Sequence, residues 1–338
     1  MRWTAAIVSA LIMTCMTGSG SAADTVRTSQ ILSRLTHAND WRNHVMVVAH
    51  RTGWKENGKF RFADNSLAAI RNSIALGAEM LELDVRKSAD GVLILMHDSW
   101  LDRTTDCKGE VDKRTLAELK RCRLVNEGTR IATDESIPTL EEALLTTRGQ
   151  ILVNIDNKLE ADALPDIAAT ARDLGMADQI LMKQNVWNAA RIADTKAVLA
   201  KVGNDVPFMP ILADDAVHDE RFMVAATRAF AAPAAELVHW QKDGDPLTVR
   251  GGPLFTAKAR AAAIAGNWHL WVNVYGIVNR PDGMLSGGRG DALAMSRPDE
   301  VYGFWIDRGV TIIQTDEPKA AIAWLDANGY RIPYDLTN

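Results

Sequence analysis

Cysteine is scarce: three in 338 residues are too few for a disulfide-built scaffold or a multi-cysteine metal cluster. Basic residues are not in excess either. The 38 Lys+Arg against 43 Asp+Glu give a formal charge of −5, so no global positive field draws the chain onto nucleic acid or acidic lipid. A small anionic substrate would need local help from a metal or a few cations. The apolar run from Trp3 to Met16 falls short of the roughly 20 residues a spanning helix needs. No Pro/Ser-rich linker divides the chain, which favours one domain. At 47% hydrophobic and 24% charged residues the composition is globular, which excludes disorder and fibre.

What is present begins with a leader. Met1-Arg2, an apolar stretch and then Gly18-Ser19-Gly20-Ser21-Ala22-Ala23 predict a secretory signal peptide over residues 1–23, cut near Ala22 or Ala23. The expected product is an exported chain, periplasmic or secreted, with residues 24–338 as a single domain and no stable membrane insertion after cleavage. Only Cys107 and Cys122 would remain, and in an oxidising compartment a disulfide is expected over two buried thiols.

Eight short apolar runs alternate with helical periodicities. The runs are Val45-His50, Met80-Val85, Ile151-Asp156, Ile180-Lys183, Phe208-Leu212, Glu236-Trp240, His269-Val274 and Thr311-Thr315. Helices are expected over Ser66-Leu76, Leu164-Leu174, Trp187-Leu199, Arg221-Phe230 and Ala257-Ala265. This pattern predicts an α/β fold, a TIM-like (β/α)8 barrel. A ninth run, Val92-Met96, folds back through the turn Ser88-Ala89-Asp90-Gly91 and brings His97 level with Asp84 or Val85. An inserted segment of about 99–150 then follows the second strand, above the barrel mouth.

Polar residues gather at the predicted C-terminal ends of the strands, where barrel enzymes place their chemistry. Alternate residues of a strand point the same way, so Glu82 and Asp84 share one side while Leu83 packs behind them. Asp156 adds a third oxygen donor, and an all-oxygen set suits one divalent cation, Ca²⁺ or Mg²⁺, with Mn²⁺ as a further candidate. The plainer alternative is a salt-bridge network with Arg51, Arg86 and Lys158. His50 and His97 each end a strand beside a charged residue, Arg51 and Asp98, and two imidazoles can act as base and acid across a phosphate.

The series Ala49-His50-Arg51, Asp64-Asn65-Ser66-Leu67, Glu82-Leu83-Asp84-Val85, Asp90-Gly91, His97-Asp98 and Leu101-Asp102-Arg103-Thr104-Thr105 resembles glycerophosphodiester phosphodiesterases. Ile137-Pro138-Thr139-Leu140, Asn154-Ile155-Asp156-Asn157-Lys158 and Thr315-Asp316-Glu317-Pro318 extend the resemblance over roughly residues 45 to 330. It implies a TIM barrel with a segment inserted after the second strand. It also implies His50 and His97 as the catalytic pair, Arg51 and Lys158 at the phosphate, and Glu82, Asp84 and Asp156 on the metal. The implied reaction is metal-dependent hydrolysis of a small-molecule glycerophosphodiester to sn-glycerol 3-phosphate and an alcohol.

The chain departs from the family pattern at Thr52, usually Gly, at Asp64, usually Glu, at Asp156, usually Glu, and at Asn157, usually apolar. Near the C-terminus, Trp271, Asn273 and Arg289 of the loop running from Arg280 to Asp291 are candidate substrate contacts. Trp54, Trp100 and Trp187 lie near the predicted mouth. They keep open a phospholipase or sphingomyelinase-D-like reading on lipids, and a catalytically weakened ligand-binding barrel is a third possibility. No residue pattern signals an oligomeric state.

Overall fold

The computed structural model describes residues 22–276 and 283–335. The expected leader lies almost entirely outside the described residues, as does Arg280. Nine strands form the main sheet: β1 (Met46–Ala49), β2 (Met80–Lys87), β3 (Leu93–Leu95), β4 (Leu152–Asn157), β5 (Ile180–Asn185), β6 (Phe208–Ala213), β7 (Ala234–Val238), β8 (His269–Asn273) and β9 (Val310–Thr315). All but β3 are parallel neighbours in the order β1-β9-β8-β7-β6-β5-β4-β2, and the pairing of Val48 with Met80 closes the circle. Closure leaves the eight parallel strands without a free edge.

Strand parity builds two cores. Val47, Leu81, Leu83, Val153, Ile155 and Ile313 point outward under the helices, whereas Val48, Met80, Leu152, Leu181, Met209 and Ile312 fill the lower interior. The covering helices include α2 (Leu67–Leu76), α3 (Leu140–Thr147), α4 (Leu164–Asp173), α5 (Ala189–Val202), α6 (Glu220–Ala229), α7 (Ala257–Gly266) and α9 (Pro318–Ala327), with the short α8 (Tyr302–Asp307) before β9. Ser66, Thr139, Asn188, Asp219 and Thr256 cap five of them through their side chains. Among the described residues no helix is long and apolar enough to cross a membrane.

The helix before β1 is absent from the sequence reading, as are α3, α8 and α9. Helix α1 (Ala22–Thr36) lies beneath the barrel, where Ile31 and Leu35 join the lower interior cluster. Arg34 fixes it there. Its guanidinium is buried, donates to the carbonyls of Ile332 at 2.6 Å and Pro333 at 2.8 Å, and stacks on Tyr334.

The hairpin of β2 and β3 forms as expected. Gly91 turns it at φ 84°, and Ser88 Oγ donates to Asp90. Val85 pairs with Leu95 and the Met96 amide reaches the Asp84 carbonyl at 2.9 Å, which puts His97 one residue past the expected level. The excursion that follows has a small core of its own, with Leu101, Val111, Leu119 and Leu124 around Ile94 and Met96. It ends sooner than residue 150, because Thr139 caps α3 and sends Leu140, Ala143 and Leu144 into the outer barrel core. Cys107 and Cys122 are bridged, with Cα atoms 5.5 Å apart, so the disulfide and not the thiol pair is realised.

Candidate active site

Glu82 and Asp84 point inward from β2, and Asp156 stands directly opposite Asp84 in the register of β4. Oxygen atoms of the three lie within 4.8 Å of one another. Each is held in place. The Arg51 amide donates to Glu82 at 2.9 Å, and the Asn65 side chain donates to Asp84 at 2.7 Å while accepting the Asp84 amide at 3.0 Å. Lys158 Nζ stands 2.7 Å from Asp156 and 3.0 Å from Asp84.

Burial pushes Glu82 well above the ordinary carboxylate range, and the neighbouring Asp84 adds to the rise. Asp84 goes the other way: burial opposes its ionisation, but Lys158, His97 and Arg51 outweigh it. Asp156 falls to about 2, since Lys183 and Lys158 overcome its burial.

The donor set fits a hard divalent cation. Asp84 Oδ1 is buried and meets only the Lys158 ammonium among the described residues, Glu82 has no ion-pair partner among them, and all donors are oxygen. Part of the alternative salt-bridge network exists as well, since Lys158 spans two of the acids and Arg51 pairs with Asp64 at 3.2 Å. Asp64, shorter than the family's usual Glu, also draws Arg103 to 3.4 Å and so anchors two arginines.

His50 follows β1 in a tight left-handed turn, with φ of 45° at Arg51, 71° at Thr52 and 83° at Gly53. That turn aims the Arg51 amide at Glu82. The His50 ring stacks on Tyr275, centroids 3.6 Å apart, and its Nδ1 lies 2.7 Å from Asp316. Asp316 also accepts from Trp54 at 2.7 Å and Lys55 at 2.9 Å. Burial lowers the His50 pKa to about 4 against the pull of Asp316, so the ring is neutral near pH 7. On the far side, His97 Nδ1 lies 2.7 Å from Asp98, which Arg103 clamps at 2.7 and 3.0 Å. Both imidazoles thus engage a carboxylate through Nδ1 and leave Nε2 for chemistry.

A cavity of about 510 Å³ joins His50, Arg51, His97, Asp156 and Lys158 to a second wall with Lys183, Glu236, Trp240, Asn273 and Tyr275. This is the size of an ordinary small-molecule site. A larger cavity of about 710 Å³ lies at the other end of the barrel, around Pro207, Phe208 and Trp268, away from every group just described.

Of the other candidates, Asn273 reaches the cavity and donates to Glu236 at 2.7 Å. Trp271 does not: it points inward like Asn273 but two residues earlier on the strand, in the lower interior, fully buried and bonded to Asn273 and Gln314. Arg289 is also elsewhere, because it donates to the carbonyls of Thr248 and Glu300 and packs over Phe304 at 4.1 Å. Sequence reasoning passed over Tyr275, Lys183 and Glu236. The available signal was parity: Lys183 follows inward-facing Leu181 by two residues, and Glu236 follows Ala234 by two.

The fold defines a class, a closed (β/α)8 barrel with its ionisable groups at the C-terminal ends of the strands. The chain belongs to the glycerophosphoryl diester phosphodiesterase family, whose pattern matches residues 50–320. It is 38% identical over 128 residues to glycerophosphodiester phosphodiesterase 1 of Mus musculus, a match that covers 36% of each chain. A glycerophosphodiester phosphodiesterase of Bacillus altitudinis is 34% identical over 129 residues, 38% of this chain and 51% of that one. The chain thus spans about a third to a half of these relatives. A solved glycerophosphoryl diester phosphodiesterase from Parabacteroides distasonis superposes with a TM-score of 0.62 at 18% identity, covering 90% of this chain and 93% of that one. A phosphodiesterase of Oleispira antarctica, solved with the product sn-glycerol-3-phosphate, gives 0.53 at 18% identity over 84% and 97%.

Proposed function

We propose that this chain hydrolyses glycerophosphodiesters to sn-glycerol 3-phosphate and an alcohol. The observation that carries the reading is a carboxylate triad whose Asp156 lines one cavity with two carboxylate-held imidazoles, in a member of this family. A divalent cation on Glu82, Asp84 and Asp156, Ca²⁺ or Mg²⁺ by the donor chemistry with Mn²⁺ as a further candidate, would supply charge neutralisation at a phosphoryl oxygen when bound.

The residues of the chain do the rest. Arg51 and Lys158 offset the charge of the diester and hold it in the mouth. Neutral His50 takes the proton of the attacking hydroxyl at Nε2 and His97 gives one to the departing alkoxide; the attacker is water itself, or the glycerol 2-hydroxyl, which forms a cyclic phosphate that a water then opens to the monoester. Asp316 and Asp98 orient the two rings. Lipid substrates fit less well: Trp54 is buried against Asp316, which leaves only Trp100 and Trp187 exposed of the three tryptophans considered.

Release of glycerol 3-phosphate from a panel of diesters, with EDTA and then with each divalent ion, tests the reading. Activity should vanish with chelator and return with metal. Full turnover in chelated, metal-free protein would refute the metal part, and no turnover under any condition would refute the whole. Export is part of the same proposal, and the disulfide supports it. Recovery of full-length chain, leader intact, from the cytoplasm alone would refute that part.

A further inference from the structure

The mouth has two unlike halves. The chemistry lies at the ends of β1, β2, β3, β4 and β9, whereas the wall from β5 to β8 carries groups that the mechanism above does not use. Its floor is polar: Lys183 Nζ is 3.1 Å from one oxygen of Glu236, and the Asn273 amide donates to the other at 2.7 Å. All three are buried and all three face the cavity. Above the floor stand Ile211, Val238, Trp240 and Leu285. Trp240 is fixed, since its strand pairs with Leu285 and its amide donates to Asp214 at 2.9 Å.

We propose that this half receives the leaving alcohol and selects a hydroxyl-rich one, glycerol or a cyclic polyol, over choline or ethanolamine. The inference rests on the phosphodiesterase reading and deepens it. The Glu236 carboxylate is already neutralised by Lys183, so the floor offers no free negative charge to an ammonium group. It offers instead ammonium donors beside carboxylate lone pairs, the alternation that a hydroxyl, donor and acceptor at once, can satisfy. Among the described residues no aromatic cage for a quaternary ammonium surrounds this half, and one face of Tyr275 is covered by His50 at 3.6 Å. Trp240 and its apolar neighbours suit the C–H face of a polyol. A site built to hydrogen-bond hydroxyls rejects analogues without them, because its buried polar groups are then left unpaired.

The test compares kcat/KM for glycerophosphoglycerol, glycerophosphoinositol, glycerophosphocholine and glycerophosphoethanolamine with metal-loaded protein. The polyol diesters should lead by about 10-fold or more. In a Lys183→Met, Glu236→Leu double variant, which removes the pair without leaving an unpaired charge, that ratio should fall toward one. Trp240→Ala, at a partly exposed ribbon position, should raise KM for the polyol diesters more than it lowers kcat, and a melting curve checks that each variant folds. A choline diester hydrolysed as well as the polyol diesters, or a ratio unmoved in the double variant and in Trp240→Ala, overturns the inference while the phosphodiesterase reading stands. No hydrolysis of any diester sinks that reading, and the inference with it.

Discussion

Lys158 Nζ lies 3.0 Å from Asp84 Oδ1, and the same ammonium reaches Asp156, so one cation spans two of the three acids proposed to hold the metal. Ion and ammonium therefore compete for the same oxygens. Lys158→Met should destabilise the metal-free protein by about 3 kcal/mol, the scale for breaking a buried pair, and divalent ions should restore the melting temperature. Metal affinity, read by calorimetry, should equal or exceed that of the wild type while turnover falls about 10²-fold to 10³-fold. Weaker metal binding in this variant would contradict the competition.

The two histidines are expected to transfer protons and not to bind metal. His50→Ala and His97→Ala should each lower turnover about 10²-fold to 10⁴-fold with metal affinity intact. In the wild type, His50 takes a proton as pH falls through about 4, so activity should decline there, and the decline should disappear in His50→Ala. Release of the metal by either variant would make the imidazoles ligands.

Thr52 is a β-branched residue held at φ 71°, fully buried, with a hydroxyl that finds no hydrogen-bond partner among the described residues. Strain of this kind costs on the order of 1–3 kcal/mol. Glycine adopts the same turn freely, so Thr52→Gly should raise stability by about 1 kcal/mol after the loss of the buried methyl. A lower melting temperature would show that the threonine contributes packing that outweighs its backbone.

The bridge between Cys107 and Cys122, which are 15 positions apart, closes a short loop for a stabilisation of roughly 3 kcal/mol on the chain-entropy model. Thiol titration of the denatured, unreduced protein should find neither cysteine free. Cys122→Ser should speed proteolysis within the excursion while the barrel keeps its far-ultraviolet dichroism. Equal protease resistance would mean that the small core around Ile94 and Met96 suffices.

The barrel could be read because parallel strands are apolar on both faces, and the acids because Glu82 and Asp84 share a parity. His97 was within reach because a Gly turn announces a hairpin. Helix α1 escaped because few apolar residues among Arg, Thr, Ser and Gln leave a weak stripe, and its contacts with residues 332–334 are remote in sequence. Lys183 and Glu236 escaped because a single charge inside an apolar run looks like the end of a strand. Arg289 misled because composition marks a Gly-rich loop without saying which way its side chains turn, and Phe304 and two carbonyls hold this one outside the mouth.

The seal at the base of the barrel sets an order of events during folding. Arg34 and Ile332 are 298 positions apart, and β1 must pair with β9, the last strand of the chain, as well as with β2. Contacts this distant form slowly, since a loop of nearly the whole chain must close first. During synthesis the sheet therefore stays open until the last turn of chain arrives, with its lower interior uncovered. The loop between Cys107 and Cys122 is far shorter, so the excursion above the mouth can fold and oxidise while the barrel beneath it is still unclosed.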